Sequence, residues 1–580
     1  MLDTLLPSLQ GQFDSSQAKG HISPICHRSG ITMLEDLKDA SQSLRSALKR
    51  YLTVCSELST RALQGEFMHN RSSEFPDRIR HEVDSFAQYE SQLQDAKIAI
   101  TGAQSHVPFI GAINMLPPEI LVEIFHSVLA LQPHAACHLA QVSSRWRRVA
   151  LSTYSLWTHL QFNPPRVQPK DAETTALKKS DLLDHAILNL CRSAHFPLHI
   201  HLSMENNKYK WYDGPARSLF KYIASRMQSL QLSFPCTIYS YHGSAGDTSE
   251  SVVSDLLLDC EQDIFAQLVT TSRSAGFITP SNHSYNNSGF RLALTSGRLD
   301  KAFVSIRVLH LHNRFPEWTS TAYHNLVDLR LMGSMKINEA TLVNILNMSP
   351  GLCIFHFGLS IEPRDLSVVE SPLSVKLVDL ELLRVVGDSA PSLFHEEVEQ
   401  ILSWISPGKK ALRLFLENKT SGLPEELNKR MPMTHIQAFF ERSIIAELHA
   451  ENYPFLLELT SLPITRHFAL DKCNINNRTT QFPAEINDDA SSPKQPLETL
   501  YITNCSITLD TFRTRLQTAS VQRLVLYDNR FFLDGEEVFK DQVVMELSTV
   551  CLMVVFTDEM PACISNWQDD VSRRSMVLGT

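Results

Sequence analysis

One phrase recurs from Met227 onward in this 580-residue chain and restricts its fold more than any other feature: apolar residues at i, i+3 and i+5. It reads Met227/Leu230/Leu232, Ile306/Leu309/Leu311, Leu326/Leu329/Leu331, Leu352/Phe355/Phe357, Leu377/Leu380/Leu382 and Ala411/Leu414/Leu416. It continues at Ile445/Leu448/Ala450, Thr465/Phe468/Leu470, Leu497/Leu500/Ile502 and Val521/Leu524/Leu526. From Ile306 the first positions are 20, 26, 25, 34, 34, 20, 32 and 24 residues apart. A period of ~20–29 with insertions is that of stacked units, each contributing a short strand and a helical stretch. Alternation along the strand sends the two leucines of Leu-x-Leu to one side and x to the other. Such a unit leaves apolar faces open until a neighbour covers them, so the array has to close as one continuous solenoid. Cys473, Cys505 and Asn529 at i+8 are placed to bond backbone at the turn, and helical stretches at 338–348 and 395–405 supply the outer layer.

A second block, residues 115 to 157, reads MLPPEILVEIFHSVLALQPHAACHLAQVSSRWRRVALSTYSLW. Pro117 and Pro118 suit the first turn of a helix, where the missing N–H costs nothing. Glu119 and Glu123 then lie near its positive end. Ile120, Leu121, Ile124, Phe125, Val128 and Leu129 follow at helical spacing. A second apolar set, Ala136, Leu139, Ala140, Val142, Trp146 and Val149, comes after Pro133, and Leu156 with Trp157 closes the far side. A unit of roughly forty residues seldom buries enough surface to stand alone, so part of this apolar surface waits for another chain. Arg145, Arg147 and Arg148 read as a solvated helix face, since no aromatic interleaving or wider basic field accompanies them.

The order Leu-Pro-x-Glu-Ile-Leu-x-x-Ile-Phe, Val-Ser-x-x-Trp-Arg-x-x-Ala, Leu-Trp resembles the F-box, and more closely the F-box-like proteins abundant in fungi. The phrase downstream resembles irregular leucine-rich repeats. The first resemblance implies that Leu116, Pro117, Ile120, Leu121, Ile124, Phe125, Val142 and Trp146, with Glu119 at the helix start, build a small helical domain. It also implies that they contact a Skp-type adaptor of a cullin-RING ubiquitin ligase. The second puts the x positions, His310, Arg330, His356, Glu381, Phe415, Tyr501 and Val525, on a concave face open to a target protein.

The fold class expected is therefore an α/β repeat protein: an N-terminal helical region, a small all-α F-box, and an irregular leucine-rich-repeat solenoid. Residues 1–30 read as a loose, disordered tail and 31–104 as a helical, coiled-coil-like segment. The F-box takes 112–162, a proline-marked linker 163–180, and the array 181–580 with a polar insertion at about 240–291. In the helical segment, positions 34, 37, 41, 44, 48, 51, 55, 58 and 62 form a heptad-like stripe. A second stripe from Asp77 fails at Glu90 and Lys97, which leaves an antiparallel pair within the chain and a dimeric coiled coil both open.

Formal net charge of −10 opposes non-specific binding to nucleic acid or to an anionic membrane surface. Eleven scattered cysteines without a CxxC pair fit free thiols in a reducing compartment, the cytoplasm or nucleus. No secretory signal is visible, and the longest apolar run, Val550 to Phe556, is too short to span a bilayer. Few residues carry chemistry. His199/His201 and His310/His312 alternate along strands but lack a third ligand, so they read as solvent-facing. His395-Glu396-Glu397-Val398-Glu399 has no second histidine, its acidic residues read as a solvated helix face, and Gly408-Lys409-Lys410 has no glycine loop before it. Cys505 reads as a buried structural thiol. No catalytic residue, metal or cofactor is assigned. Two functions fit: a substrate receptor that docks an adaptor and holds a target, and a binding scaffold whose F-box-like hairpin caps the solenoid without any ligase.

Overall fold

The computed structural model describes residues 30–64, 74–106, 113, 116–561 and Ile564, apart from 134, 163–183, 204–214, 235–246, 262, 281–289, 363–373, 388–390, 420–433, 454–464, 476–496 and 520. The expected tail and linker lie outside these residues. The chain divides into two compact units, 1–110 and 111–580. The first holds two long helices, α1 (Gly30–Leu63) and α2 (Glu74–His106). Tyr51 Oη donates to Glu82 Oε1 at 3.0 Å, so the two lie side by side within one chain. Their contact does not absorb the stripes: Leu44, Leu48 and Leu52 of α1 and Val83, Phe86 and Leu93 of α2 stay exposed.

The second unit opens with three short helices, α3 (Pro118–Leu131), α4 (Ala136–Val142) and α5 (Ser144–Ser152), and a 3₁₀ turn at Tyr154–Trp157. Pro118 starts α3 as expected of a residue without an N–H. Ser143 caps α5 by accepting the Trp146 backbone N–H on Oγ at 3.1 Å. A sheet of 15 strands follows, with fourteen in one continuous order from His159–Phe162 to Met553–Phe556. Adjacent strands in that order pair in parallel, as from His159↔His199 at the first pair to Arg523↔Met553 at the last.

Register explains the phrase. Leu309, Leu329, Phe355, Leu383, Leu414, Leu448, Phe468, Leu500 and Leu524 stand side by side across nine strands, all buried in one core with the inner faces of the intervening helices. Turn chemistry repeats as well. Asn313, Asn452, Lys472, Asn504 and Asp528, each at i+7, have positive φ, a conformation that Asn and Asp enter most readily among residues with a side chain. The next position bonds across repeats: Asn529 Nδ2 donates to the Ile502 carbonyl at 2.8 Å, and its Oδ1 accepts the Cys505 N–H at 2.9 Å. Cys505 Sγ in turn accepts the Cys473 N–H at 3.3 Å. The result is a helical region, a small helical unit and a large parallel sheet with helices, compatible with an α/β solenoid.

His159–Phe162, inside the span read as the F-box, forms the first strand of the sheet. Three readings need correction. The insertion at 240–291 is not wholly outside the array, because Gln267–Pro280 is a strand between Met227–Phe234 and Val308–Pro316. Its phrase, Phe265/Leu268/Thr270, is disguised by a buried threonine whose hydroxyl donates to the Arg314 carbonyl at 2.6 Å. The phrase at Leu377/Leu380/Leu382 is displaced: the strand is Leu382–Gly387, Leu383 and Val385 align with Phe355 and Phe357, and Leu382 faces the other side. Glu399 is buried rather than solvated, accepting the backbone N–H groups of His435 and Ile436 at 2.8 and 3.1 Å.

Candidate docking surface

The small helical unit has a closed core of its own. Leu121, Phe125, Leu129, Ala136, Leu139, Ala140, Val149, Ala150, Leu156 and Trp157 form one buried cluster, with Phe125 and Trp146 rings 4.9 Å apart. Two of the three arginines tie it together and are not a free basic face. Arg145 donates to the Leu116 carbonyl at the start of the motif, and Arg147 Nε to the Ala140 carbonyl at 3.1 Å.

Against that core the nine motif residues separate by position. Leu121 and Phe125 are fully buried, while Leu116, Ile124 and Trp146 are half-buried against the cluster. Pro117, Glu119, Ile120 and Val142 are exposed. Ile120 is 46% and Val142 60% exposed, and Leu131, which the motif reading passed over, is 62% exposed. About three turns separate Ile120 from Leu131, so both lie on one side of α3 with Ile124 between them. What would have found Leu131 is helical phase counted from Ile120 and continued past the motif.

The other end of the unit is sealed to the sheet. Trp157 donates its indole N–H to the Ala150 carbonyl at 2.8 Å, and Arg192 lies 4.3 Å over its ring. Three residues on, Leu160 and Phe162 belong to the core of the sheet. At this junction His159 brings a third imidazole to His199 and His201. His159 stacks on His199 at 4.6 Å, and its Nδ1 is 3.2 Å from His201 Nε2. The rings stack instead of converging, and no group of three or more His, Cys, Asp or Glu side chains among the described residues could hold a metal ion.

The x positions do lie opposite the leucines, but most are covered. His310, Arg330, His356, Phe415 and Val525 are buried, and Tyr501 is half-buried. Glu381 is not an x position at all: it precedes its strand and accepts from Lys410 Nζ at 2.9 Å, while Arg384 stands in register with His356 and Phe415. The buried charges are mutually satisfied. Asp328, 0% exposed, accepts from Arg330 Nε and Nη2 at 3.0 and 2.9 Å, and His310 Nε2 lies 3.0 Å away. Burial alone would raise the Asp328 carboxyl, but His310 and Arg330 hold it well below the usual carboxylate range. Burial lowers the His356 imidazole, and Arg330 adds to the effect, so it stays neutral. Cys505 is buried, which raises its thiol far above the usual value. No described helix is long and apolar enough to cross a membrane.

Residues 113–163 match the F-box-like family model, a span that takes in α3 to α5, the 3₁₀ turn and the first strand. The chain thus carries an F-box-like domain, a type that generally binds Skp-type adaptors. No curated protein matches the chain.

Proposed function

We propose that this protein is the substrate-receptor subunit of a cullin-RING ubiquitin ligase. In this reading α3 and α4 dock a Skp-type adaptor, and an irregular leucine-rich-repeat array holds a target protein. One observation carries the reading: Ile120, Leu131 and Val142 remain exposed on an F-box-like unit whose own core is already closed. Ile120 and Leu131 share one side of α3 and Val142 ends α4; exposed apolar residues beside a finished core mark a docking surface when they form a patch. The chain would make or break no bond itself. It would hold a target lysine near a ubiquitin-charged enzyme and so raise the effective concentration of the reacting pair. Such a complex would work in the cytoplasm or nucleus, where its free thiols stay reduced.

The burial pattern selects the test. Truncating Phe125 would damage the core, so the informative change is Ile120→Asp/Val142→Asp. Apolar anchors at an interface contribute ~2 kcal/mol or more each, so recovery of a Skp-type adaptor on co-purification should fall at least ~30-fold for each lost anchor, with an unchanged thermal unfolding curve. Equal recovery by both proteins would remove the adaptor role.

The scaffold reading has its own observation. Trp157, Arg192 and the strand His159–Phe162 seal the helical unit onto the end of the sheet, as a terminal cap must. Capping uses one end and docking the opposite side of α3, so a cap alone predicts no adaptor in the co-purification, whichever residues are changed.

A further inference from the structure

On the side of the sheet away from the leucines, Phe415, His449, Ala469, Tyr501 and Val525 stand in register. Ala469 is the one small side chain in this row. Its methyl leaves a hollow between His449 and Tyr501, yet Ala469 is 0% exposed. Ile564 is also 0% exposed, and it forms with Ile354, Leu382, Phe415 and Ala469 an apolar cluster separate from the leucine core.

Ile564 lies eight residues past Phe556, where the last strand ends. Eight residues span up to ~29 Å. The strand carrying Ala469 is three places from the last one, about 14 Å at the usual strand spacing, so the pocket lies within the segment's reach. At its end the Ile564 N–H donates to the Pro561 carbonyl at 2.8 Å. Among the described residues, backbone bonding from this segment to the sheet is limited to Thr557 N–H to the Leu526 carbonyl at 3.0 Å. One buried anchor on a short tether can be displaced; a strand held by a full ladder could not.

The charges near the cluster are paired. Arg384 bonds Glu417, and Arg413 Nε lies 2.7 Å from Glu447 Oε2. A ligand of this face is therefore selected by an apolar knob and not by charge. We propose that the hollow over Ala469 is the target-recognition pocket of the sheet, taking a branched aliphatic side chain from an extended segment of the target, and that Ile564 fills it in the free chain as an internal competitor. This rests on the reading that the sheet recruits a target.

The test uses the purified full-length chain and a fluorescent peptide of residues 557–568 carrying Cys563→Ser to prevent oxidation. In the wild type the tethered segment competes at an effective concentration of about millimolar, so the peptide should bind the Ile564→Asp chain at least ~10-fold more tightly. Filling the hollow in the same chain with Ala469→Phe should abolish that binding. Ile564→Ala, which only shrinks the plug, should rank between wild type and Ile564→Asp and serves if the charged variant does not fold. Equal binding to wild type and plug variants, binding to none, or binding that survives Ala469→Phe would overturn the proposal. Because no adaptor is present, this outcome is independent of the co-purification. A failed peptide experiment beside intact adaptor recovery removes the pocket alone, and the converse removes the ligase role alone.

Discussion

In the F-box-like unit Ile120, Leu131 and Val142 stand in solvent above a finished core, whereas midway along the sheet Asp328, His310 and Arg330 are buried on the face expected to be open. Both regions depart from the rule that greasy side chains go in and charged ones out, and for different reasons. The sheet can bury a carboxylate because Arg330, two residues along the same strand, supplies both donors of a fork, and His310 arrives from the neighbouring strand. The helical unit can expose isoleucine and valine because its folding does not need them: Leu121, Phe125 and Trp157 already fill its interior. Exposure out of keeping with chemistry thus fits the proposed docking in one region and reflects internal pairing in the other.

The widest separation between the two should appear in stability. Asp328→Ala leaves Arg330 buried without its counter-charge and His310 without its hydrogen-bonding neighbour, and breaking such a pair costs about 3–5 kcal/mol. Ile120→Asp, at an exposed position, should stay within about 0.5 kcal/mol of wild type. Urea unfolding of the two variants measures both, and a loss below about 1 kcal/mol for Asp328→Ala would mean that the sheet interior is wet.

Acid should act on the sheet and spare the helical unit's exposed side. Burial lowers His449 to about 4. The unfolded imidazole takes up its proton near 6.5 and the folded one only near 4, so this group costs stability as pH falls through that window and costs nothing above about 7. The difference amounts to on the order of 3 kcal/mol by pH 4. His449→Gln should flatten the fall in unfolding free energy between pH 7 and 4.5; an unchanged slope would place the acid sensitivity elsewhere.

Smallest in its effect on the fold, the N-terminal helices extend the comparison to a third region. Their exposed Leu44, Leu48 and Leu52 resemble the uncovered side of α3 more than the sheet, so they should pair with a second copy. Light scattering should give twice the 65.6 kDa chain mass, returning to one for Leu44→Lys/Leu48→Lys with no change in unfolding of the sheet. A monomeric wild type would leave the hairpin contact at Tyr51 and Glu82 as the whole association.

Much of the architecture was legible because it is periodic. The phrase at i, i+3 and i+5 located strands from Met227 to Leu526, and Cys505 and Asn529 do bond backbone at the turns. It failed where chemistry substituted for hydrophobicity, as at Thr270, whose hydroxyl is satisfied by a carbonyl on the next strand. It failed again near Leu382, where three leucines within four positions, Leu380, Leu382 and Leu383, allow two registers and only pairing with Ile354 and Arg413 decides. The left-handed residues at i+7 carry a signal of their own in Asn313, Asn452, Asn504 and Asp528, residue types that enter positive φ readily. Of the proposed docking residues, helical phase marks the apolar side of α3 but does not say which of Ile120, Leu121 and Phe125 faces inward, because that depends on where Trp146 and Trp157 arrive.

By itself, then, the order of residues determined the local period, the helix start at Pro118, and the turn chemistry, all of which depend on neighbours within a few positions. Tertiary structure alone decided which side of the strands is covered. A leucine's burial follows from its own alternation, but the burial of His310, Asp328 and Ala469 needs groups 18 to 95 residues distant, and no local pattern encodes how those distant groups meet.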